Sequence, residues 1–572
     1  GGNTDSASRI ITFSSIFELA GRHSILLTNL ADMNLTAYPQ ITSISGANLN
    51  HGTLYRFEVR FQDAAANSPA STIHENILFD SEHPYPTQVI INYGTGDITV
   101  FWNEILDQTV SDLIVANSVI RQVGLQFPEK MFLSNATNEN YLTFANATYN
   151  NTADRTFINV TLTELQRTLA IAISNTSGGD NTPIVFDASY GAVQDMATNP
   201  NLGNSIIVTE IADTIIPRIL SATMDYDTGI LVVSFSETID STPNSQVRPD
   251  LVRLHNVSDN YDSLKVIHLN GGLVTENDLL TVTIEMNELQ RVTAIAISGT
   301  PGGDGHAVVL DADGLAFLDI GQNSIPQERG IFVTESRDHR HPNITAAKVL
   351  LGVGQLVLTA DETLDITPTT LVNLSLIHIE NVTGDSEISL ADATVVEGDG
   401  LEFTINLTET QRVRAIEISA TSGGDSIVSE LSVEVGFVQD IGTNPNFKRS
   451  GLIISEEADV ILPNLIAVTV DYNEGRIAIT ADETIDVTPT TKVNLTNLYL
   501  GNVLYTRDVH LPGASVLVGN DGYTFHIRMT ETQRANVLRI SSVPGGDGDV
   551  VVLQGDLGAV RDVAGNLNPF VT

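Results

Sequence analysis

Beyond residue 84 the dominant pattern is an alternation of apolar and polar residues with a period of two. Arg476-Ile-Ala-Ile-Thr-Ala481 and Leu401-Glu-Phe-Thr-Ile-Asn-Leu407 put every second side chain on one face, as half-buried strands do. Asp225-Tyr-Asp-Thr-Gly229 and Asp471-Tyr-Asn-Glu-Gly475 are turn sequences that would close a hairpin. Thr408-Glu-Thr-Gln411 and its sisters fit a capping box, with Gln at the third helical position, and predict a single helical turn between strands. The A-I-x-I-S-like stretch after each is read as a further strand. Trp102, which falls where sister segments carry Phe235 and Ala360, is assigned to the core.

The pattern repeats. Thr163-Glu-Leu-Gln-Arg167 recurs as Asn287-to-Arg291, Thr408-to-Arg412 and Thr530-to-Arg534, at a period of about 120 residues. Each copy is followed by G-G-D (Asp180, Asp304, Asp425, Asp547) and then by D-x-x-x-N. Before each copy stands a D-x-x-x-P linker: Asp80-to-Pro84, Asp213-to-Pro217, Asp338-to-Pro342 and Asp459-to-Pro463. E-x-x-D begins at the same distance past every one of these prolines (84 to 104, 217 to 237, 342 to 362, 463 to 483). We therefore divide the chain into a divergent N-terminal domain (1–83) and four repeats (84–216, 217–341, 342–462 and 463–572), the last apparently without its closing strand. Short strands punctuated by turns predict an all-β fold of tandem immunoglobulin-like β-sandwich domains in an elongated array, the first domain included.

Composition narrows the role. The chain has 70 acidic against 28 basic residues, a formal charge of −42, which argues against nucleic-acid partners and for a cation-rich surrounding. With no cysteine, disulfides play no part. No apolar run is long enough for a membrane-spanning helix. Residue 1 is Gly and no signal peptide is visible, so the chain reads as a processed product or an excised fragment. No G-x-S-x-G, H-E-x-x-H or Walker A motif is present, the histidines share no position across repeats, and Asp338-His-Arg-His341 reads as a variant linker. We expect no enzymatic activity and no organic cofactor.

Strand order predicts where the acids meet. The second strand returns toward the linker, and the loop before the closing strand lies at the same end. Four groups are expected: Asp80, Glu104, Asp107, Asp195 and Asn199; Asp213, Glu237, Asp240, Asp319 and Asn323; Asp338, Glu362, Asp365, Asp440 and Asn444; Asp459, Glu483, Asp486, Asp562 and Asn566. The G-G-D turn is assigned to that end too. Crowded carboxylates repel unless a cation neutralises them, and Ca2+ accepts irregular oxygen ligation. The alternative is that these residues are turn formers and strand caps without metal.

Strands ending in Glu-Thr-Ile-Asp, together with Gly558-Ala-Val-Arg-Asp-Val-Ala-Gly-Asn566, resemble the bacterial and archaeal immunoglobulin-like repeats of large surface proteins, swimming-protein and adhesin repeats among them. The T-E-T-Q-R and P-G-G-D-G phrases resemble tandem repeats of acidic surface-layer proteins of marine archaea. The resemblance covers about residues 84–572. It implies an extracellular, cell-surface structural role. The earlier loops depart from A-G-N, reading Met-Ala-Thr-Asn199, Ile-Gly-Gln-Asn323 and Ile-Gly-Thr-Asn444.

N-x-S/T sequons at Asn34, Asn135, Asn146, Asn150, Asn159, Asn175, Asn256, Asn343, Asn373, Asn381, Asn406 and Asn494 are candidate glycan sites. Repeats 1–3 end in a closing strand such as Ser205-Ile-Ile-Val-Thr-Glu210, which the last copy lacks. Residues 8–14 resemble it, and Arg9, Ile10, Ile11, Thr12 and Phe13 are the expected donor strand for a neighbouring copy; otherwise they belong to the first domain. The expectation is a filament or surface lattice of copies joined head to tail and rigidified by calcium. The alternative is an adhesin or stalk presenting a ligand-binding module.

Overall fold

The computed structural model describes residues 10–18, 24–25, 51–62, 73–108, 111–115, 118–122, 128–135, 141–149, 153–256, 266–384, 386–504 and 506–571. The all-β expectation holds: strands dominate, and the α-helices among the described residues are four of nine residues each. None is long and apolar enough to cross a membrane.

In the first domain Thr53–Gln62 pairs antiparallel with both Ile10–Glu18 and Ile73–Phe79. Ile10 faces Gln62 and Phe13 faces Val59. The expected free donor strand is thus corrected: Ile10, Ile11, Thr12 and Phe13 already hold a partner one loop away in their own chain. Closing such a loop costs far less entropy than recruiting a second molecule. Arg9 lies outside the described residues.

Repeats 2 and 3 share one plan. In repeat 2, Ile219–Asp225 and Ile230–Ile239 form the first hairpin, and Leu279–Glu285 pairs with its second strand. Val252–Asn256 and Val308–Ala312 form the facing layer. The closing strand Glu328–Ser336 joins the two layers, antiparallel to Val308–Ala312 and parallel to Ile219–Asp225. Alternation sends Leu231, Val233 and Phe235 from one layer and Leu254, Leu310 and Ala312 from the other into a common core. Trp102 is likewise buried in the core of repeat 1.

Repeat 4 has no counterpart of the closing strand among the described residues, and its layers remain separate sheets. Val468, Val470 and Tyr472 are consequently only half-buried, whereas their counterparts Ala222, Met224 and Tyr226 are 0–1% exposed.

The helical segment departs from the sequence expectation. It is not a single turn: Glu164–Ala172 (α1), Glu288–Ala296 (α2), Glu409–Glu417 (α3) and Glu531–Arg539 (α4) absorb most of the A-I-x-I stretch. Short apolar runs of this kind fit both periods; here Arg167, Ala170 and Ile171 face inward at helical spacing. Every helix opens with a capping box, Thr163 and Gln166 in α1. The Gln also ties the helix to its own repeat, Gln166 Nε2 donating to the Thr143 and Ala145 carbonyls at 2.9 and 2.7 Å.

Because a helix, not a strand, follows Leu279–Glu285 and its sisters, the chain stays at the far pole through G-G-D. The placement of that turn beside the entering linker is therefore corrected.

Candidate functional site

The far pole of each repeat plugs into the near pole of the next. The Glu and Arg of T-E-x-Q-R lie three residues apart in the first helical turn and pair side by side: Arg167 Nε to Glu164 Oε2 is 2.8 Å and Arg167 Nη2 to Glu164 Oε1 is 2.6 Å. Both then cross the joint. Glu164 Oε1 accepts from the Thr238 amide at 2.9 Å and its hydroxyl at 2.8 Å. Arg167 reaches the linker Asp213 at 2.7 Å and Glu237 at 3.4 Å. Arg291 makes the same contacts to Asp338 (3.0 Å) and Glu362 (3.4 Å), and Arg412 to Asp459 (2.7 Å) and Glu483 (3.1 Å). Glu288 and Glu409 accept from the Thr363 and Thr484 amides, each at 3.0 Å.

Behind each arginine stands a carboxylate triplet. Asp213, Glu237 and Asp319 each offer an oxygen within 4.8 Å of the others; so do Asp338, Glu362 and Asp440, and Asp459, Glu483 and Asp562. Asp80, Glu104 and Asp195 form a fourth triplet at the near pole of repeat 1, where His51 takes the arginine's place, 3.1 Å from Asp80. The linker aspartates are fixed by their own turns, Asp213 Oδ1 accepting from the Ile215 amide at 2.9 Å. The loop aspartates are held by the D-x-x-x-N asparagines: Asn199, Asn323, Asn444 and Asn566 donate to Asp195, Asp319, Asp440 and Asp562 at 2.8, 3.1, 3.1 and 2.8 Å. The second acid of E-x-x-D stands apart from the triplets. Asp107, Asp240 and Asp365 accept from Gln194, Gln322 and Gln439, and Asp486 pairs with Lys492 at 2.6 Å.

One arginine faces four acids at each internal joint, and the imbalance is visible in the titrations. Burial, reinforced by Asp338 and Asp440 and opposed by Arg291, pushes Glu362 up to about 8. Burial likewise lifts Glu237 and Glu483 to about 7, and Asp319 and Asp440 to about 6. Glu164, Glu288 and Glu409 are held below the ordinary glutamate value: burial opposes this, but bonds from the arginine and from the next repeat's threonine prevail. Both carboxylate oxygens of Glu362, 1% exposed, and one of Glu483 are buried without a hydrogen-bond partner. Such oxygens are costly in a protein interior unless something positive meets them. An all-oxygen acidic set within this span suits a hard divalent cation, Ca2+ before the softer transition metals.

Backbones interlock beside the charges. Ile320, from the D-x-x-x-N loop of repeat 2, packs into the core of repeat 1. A Cβ on Gly302 of the T-P-G-G-D turn would lie 1.8 Å from the Ile441 carbonyl oxygen of the next repeat, and at Gly178 1.7 Å from that of Ile320. Gly545, the equivalent in repeat 4, has nothing within 4 Å. Gly302 and Gly545 both have positive φ. Gly545→Ala should therefore cost only the left-handed backbone, about 1–2 kcal/mol. Gly302→Ala should cost a further 1–3 kcal/mol or so by wedging the joint open. Chemical denaturation of the two variants checks the difference.

Burial also sorts the sequons. Asn135, Asn256 and Asn381 are 0–5% exposed, and the first two tie down the G-G-D aspartates, Asn135 to Asp180 at 2.9 Å and Asn256 to Asp304 at 2.6 Å. A glycan needs an accessible amide, so these three are corrected to structural residues. Asn146, Asn175, Asn373 and Asn494 are exposed; Asn159, Asn343 and Asn406 are half-buried; Asn34 and Asn150 lie outside the described residues.

No family model and no curated protein matches the chain. Among solved structures, native alpha-2-macroglobulin from Escherichia coli, spanning domains MG0-NIE-MG1, aligns at 8% identity over 57% of this chain and 97% of that one, with a TM-score of 0.19. The native conformation of E. coli alpha-2-macroglobulin aligns at 10% identity over 83% of this chain and only 32% of that one, with a TM-score of 0.20. Domains 4–9 of the surface layer protein SbsC align at 9% identity over 100% and 77%, with a TM-score of 0.14. Superpositions this loose bear on neither fold nor role.

Proposed function

We propose that the chain is an extracellular structural protein, a subunit of a cell-surface filament or surface layer, whose repeats are fixed to one another by Ca2+ at the joints. The observation that carries this reading is the same carboxylate triplet at three successive joints, with glutamate oxygens buried beside a single arginine. A module that only needed a tether would not desolvate four acids at its junction. A divalent ion accepting those oxygens turns a repulsive cluster into a clamp across two domains. Asp213, Glu237 and Asp319 would hold it at the first internal joint and their equivalents at the next two. The large acidic excess fits a cation-rich exterior, and Asn146, Asn175, Asn373 and Asn494 are the sequons open to glycans. The role is mechanical and not catalytic, with copies of the same chain as partners.

Calorimetry in chelator and in Ca2+ tests the clamp. Each occupied joint should gain about 2.7 kcal/mol at a hundredfold excess over Kd. Mg2+, which demands a tight octahedron, should give less. Ca2+ that leaves the unfolding temperature unmoved and releases no binding heat would leave the arginine as the sole lock.

A further inference from the structure

The two poles that no joint uses complement each other. At the far pole of repeat 4, Arg534 pairs with Glu531 at 2.6 Å and donates to the Tyr472 carbonyl at 2.9 Å, as Arg167 does with Glu164 and Tyr93. The acids that its sisters reach are missing. Glu531 stands 75% exposed and Arg534 32%, against 6% for the side chains of Arg167, Arg291 and Arg412. Gly545 is open where Gly302 is covered.

At the near pole of repeat 1 the lack is reversed. Asp80, Glu104 and Asp195 form the triplet without an arginine. Ile105 and Met196 are 50% and 57% exposed, where their counterparts Thr238 and Ile320 are 4% and 8% exposed beneath the preceding repeat. Among the described residues, the ion pair that the first domain brings to this pole is that of His51 with Asp80 and Glu82.

We propose that these poles are the two halves of an intermolecular joint. Arg534 and Glu531 of one copy dock on Asp80, Glu104 and the Ile105 amide of the next, reproducing between chains the contact made three times within one. This deepens the assembly reading above and rests on it. A contact that repeats in one direction without closing builds a linear polymer. The internal joints profit from a linker that keeps plug and socket at high effective concentration. The intermolecular one does not, so it forms at high protein density.

Two variants of the whole chain test this, Arg534→Glu and Glu104→Arg, each first checked for an unchanged unfolding profile. In sedimentation velocity over a concentration series, the wild-type chain should form end-to-end oligomers. Each variant alone should associate at least about thirtyfold more weakly, the scale of breaking a desolvated charge pair. An equimolar mixture should recover assembly, because every contact between unlike variants again sets an acid against a base. Wild-type chains that stay monomeric, or variants that associate as well as wild type, would overturn the proposal. Running the series in chelator and in Ca2+ separates it from the clamp. The swap behaviour reads the arginine joint, while the unfolding temperature of the monomer reads the internal cation sites, and either can fail alone.

Discussion

Arg291→Met is expected to uncouple repeats 2 and 3 while leaving each folded. Methionine keeps the unbranched stem that packs against Gly229, but the guanidinium it removes serves five acceptors: Glu288 twice, Asp338, Glu362 and the Tyr226 carbonyl. Removing one member of a buried charge network costs about 3–5 kcal/mol, because the partners stay desolvated and uncompensated. Here the partners are four acids, so the loss should reach the upper part of that range. The loss falls on the joint, since the cores of repeats 2 and 3 are separate clusters. Calorimetry should therefore show one endotherm resolving into two, and amide exchange should quicken at Thr363 and in the Asp440–Asn444 loop. The same change at Arg534, which faces no acid across a joint, should leave the monomer's endotherm unaltered. An Arg291→Met chain that unfolds as the wild type does would mean that the charge lattice contributes nothing to coupling.

The second large effect is on pH. Glu237, Glu362 and Glu483 have folded values of about 7, 8 and 7, well above an unfolded glutamate. Between the unfolded and folded values the native chain binds more protons than the denatured one, so stability is fully present below that window and declines as pH rises through it. In chelator, the unfolding temperature should accordingly fall from about pH 5 to pH 8. Glu164, Glu288 and Glu409 are shifted the other way, and their contribution changes only below the ordinary glutamate value, outside this window. Calcium competes with those protons for the same oxygens, so added Ca2+ should stabilise most at the alkaline end and flatten or reverse the slope. The triple variant Glu237→Gln, Glu362→Gln, Glu483→Gln isolates the cause: it should lose most of the chelator slope and most of the Ca2+ response together. A slope that survives in the triple variant would assign the pH dependence to the acidic surface at large.

The triplets were legible in the sequence because their spacing is invariant. A linker Asp, a Glu twenty residues past its proline (217 to 237) and an Asp opening D-x-x-x-N can keep register through divergent repeats only if the backbone brings them to one place. What alternation could not reveal was the other half of the joint. T-E-x-Q-R explains itself locally as a capping box, and nothing in its spacing says that Glu164 and Arg167 reach past their own repeat. The clue was the invariant Arg itself: a capping box needs no arginine, and a basic residue kept in all four copies of so acidic a chain marks a counter-charge. The G-G-D turn went to the wrong pole for a related reason. Ala170-Ile-Ala-Ile173 alternates like a strand, and reading it as one reverses the chain direction for everything up to the next strand. Asp107, Asp240, Asp365 and Asp486 show the opposite limit: they recur as faithfully as the triplet, yet each has its partner within its own repeat.

The closing strand has one more consequence. In repeat 2 it runs parallel to the entering strand, Ala222 beside Val333 through Asp225 beside Ser336, so the chain enters at one pole and leaves from the strand next door at the other. Tension applied along the chain then loads that ladder lengthwise, and its rungs share the force instead of opening one by one as in a zipper. Repeat 3 is built the same way, from Ala347 beside Ile454 to Leu350 beside Glu457. Such modules resist being pulled out straight even where their thermodynamic stability is ordinary.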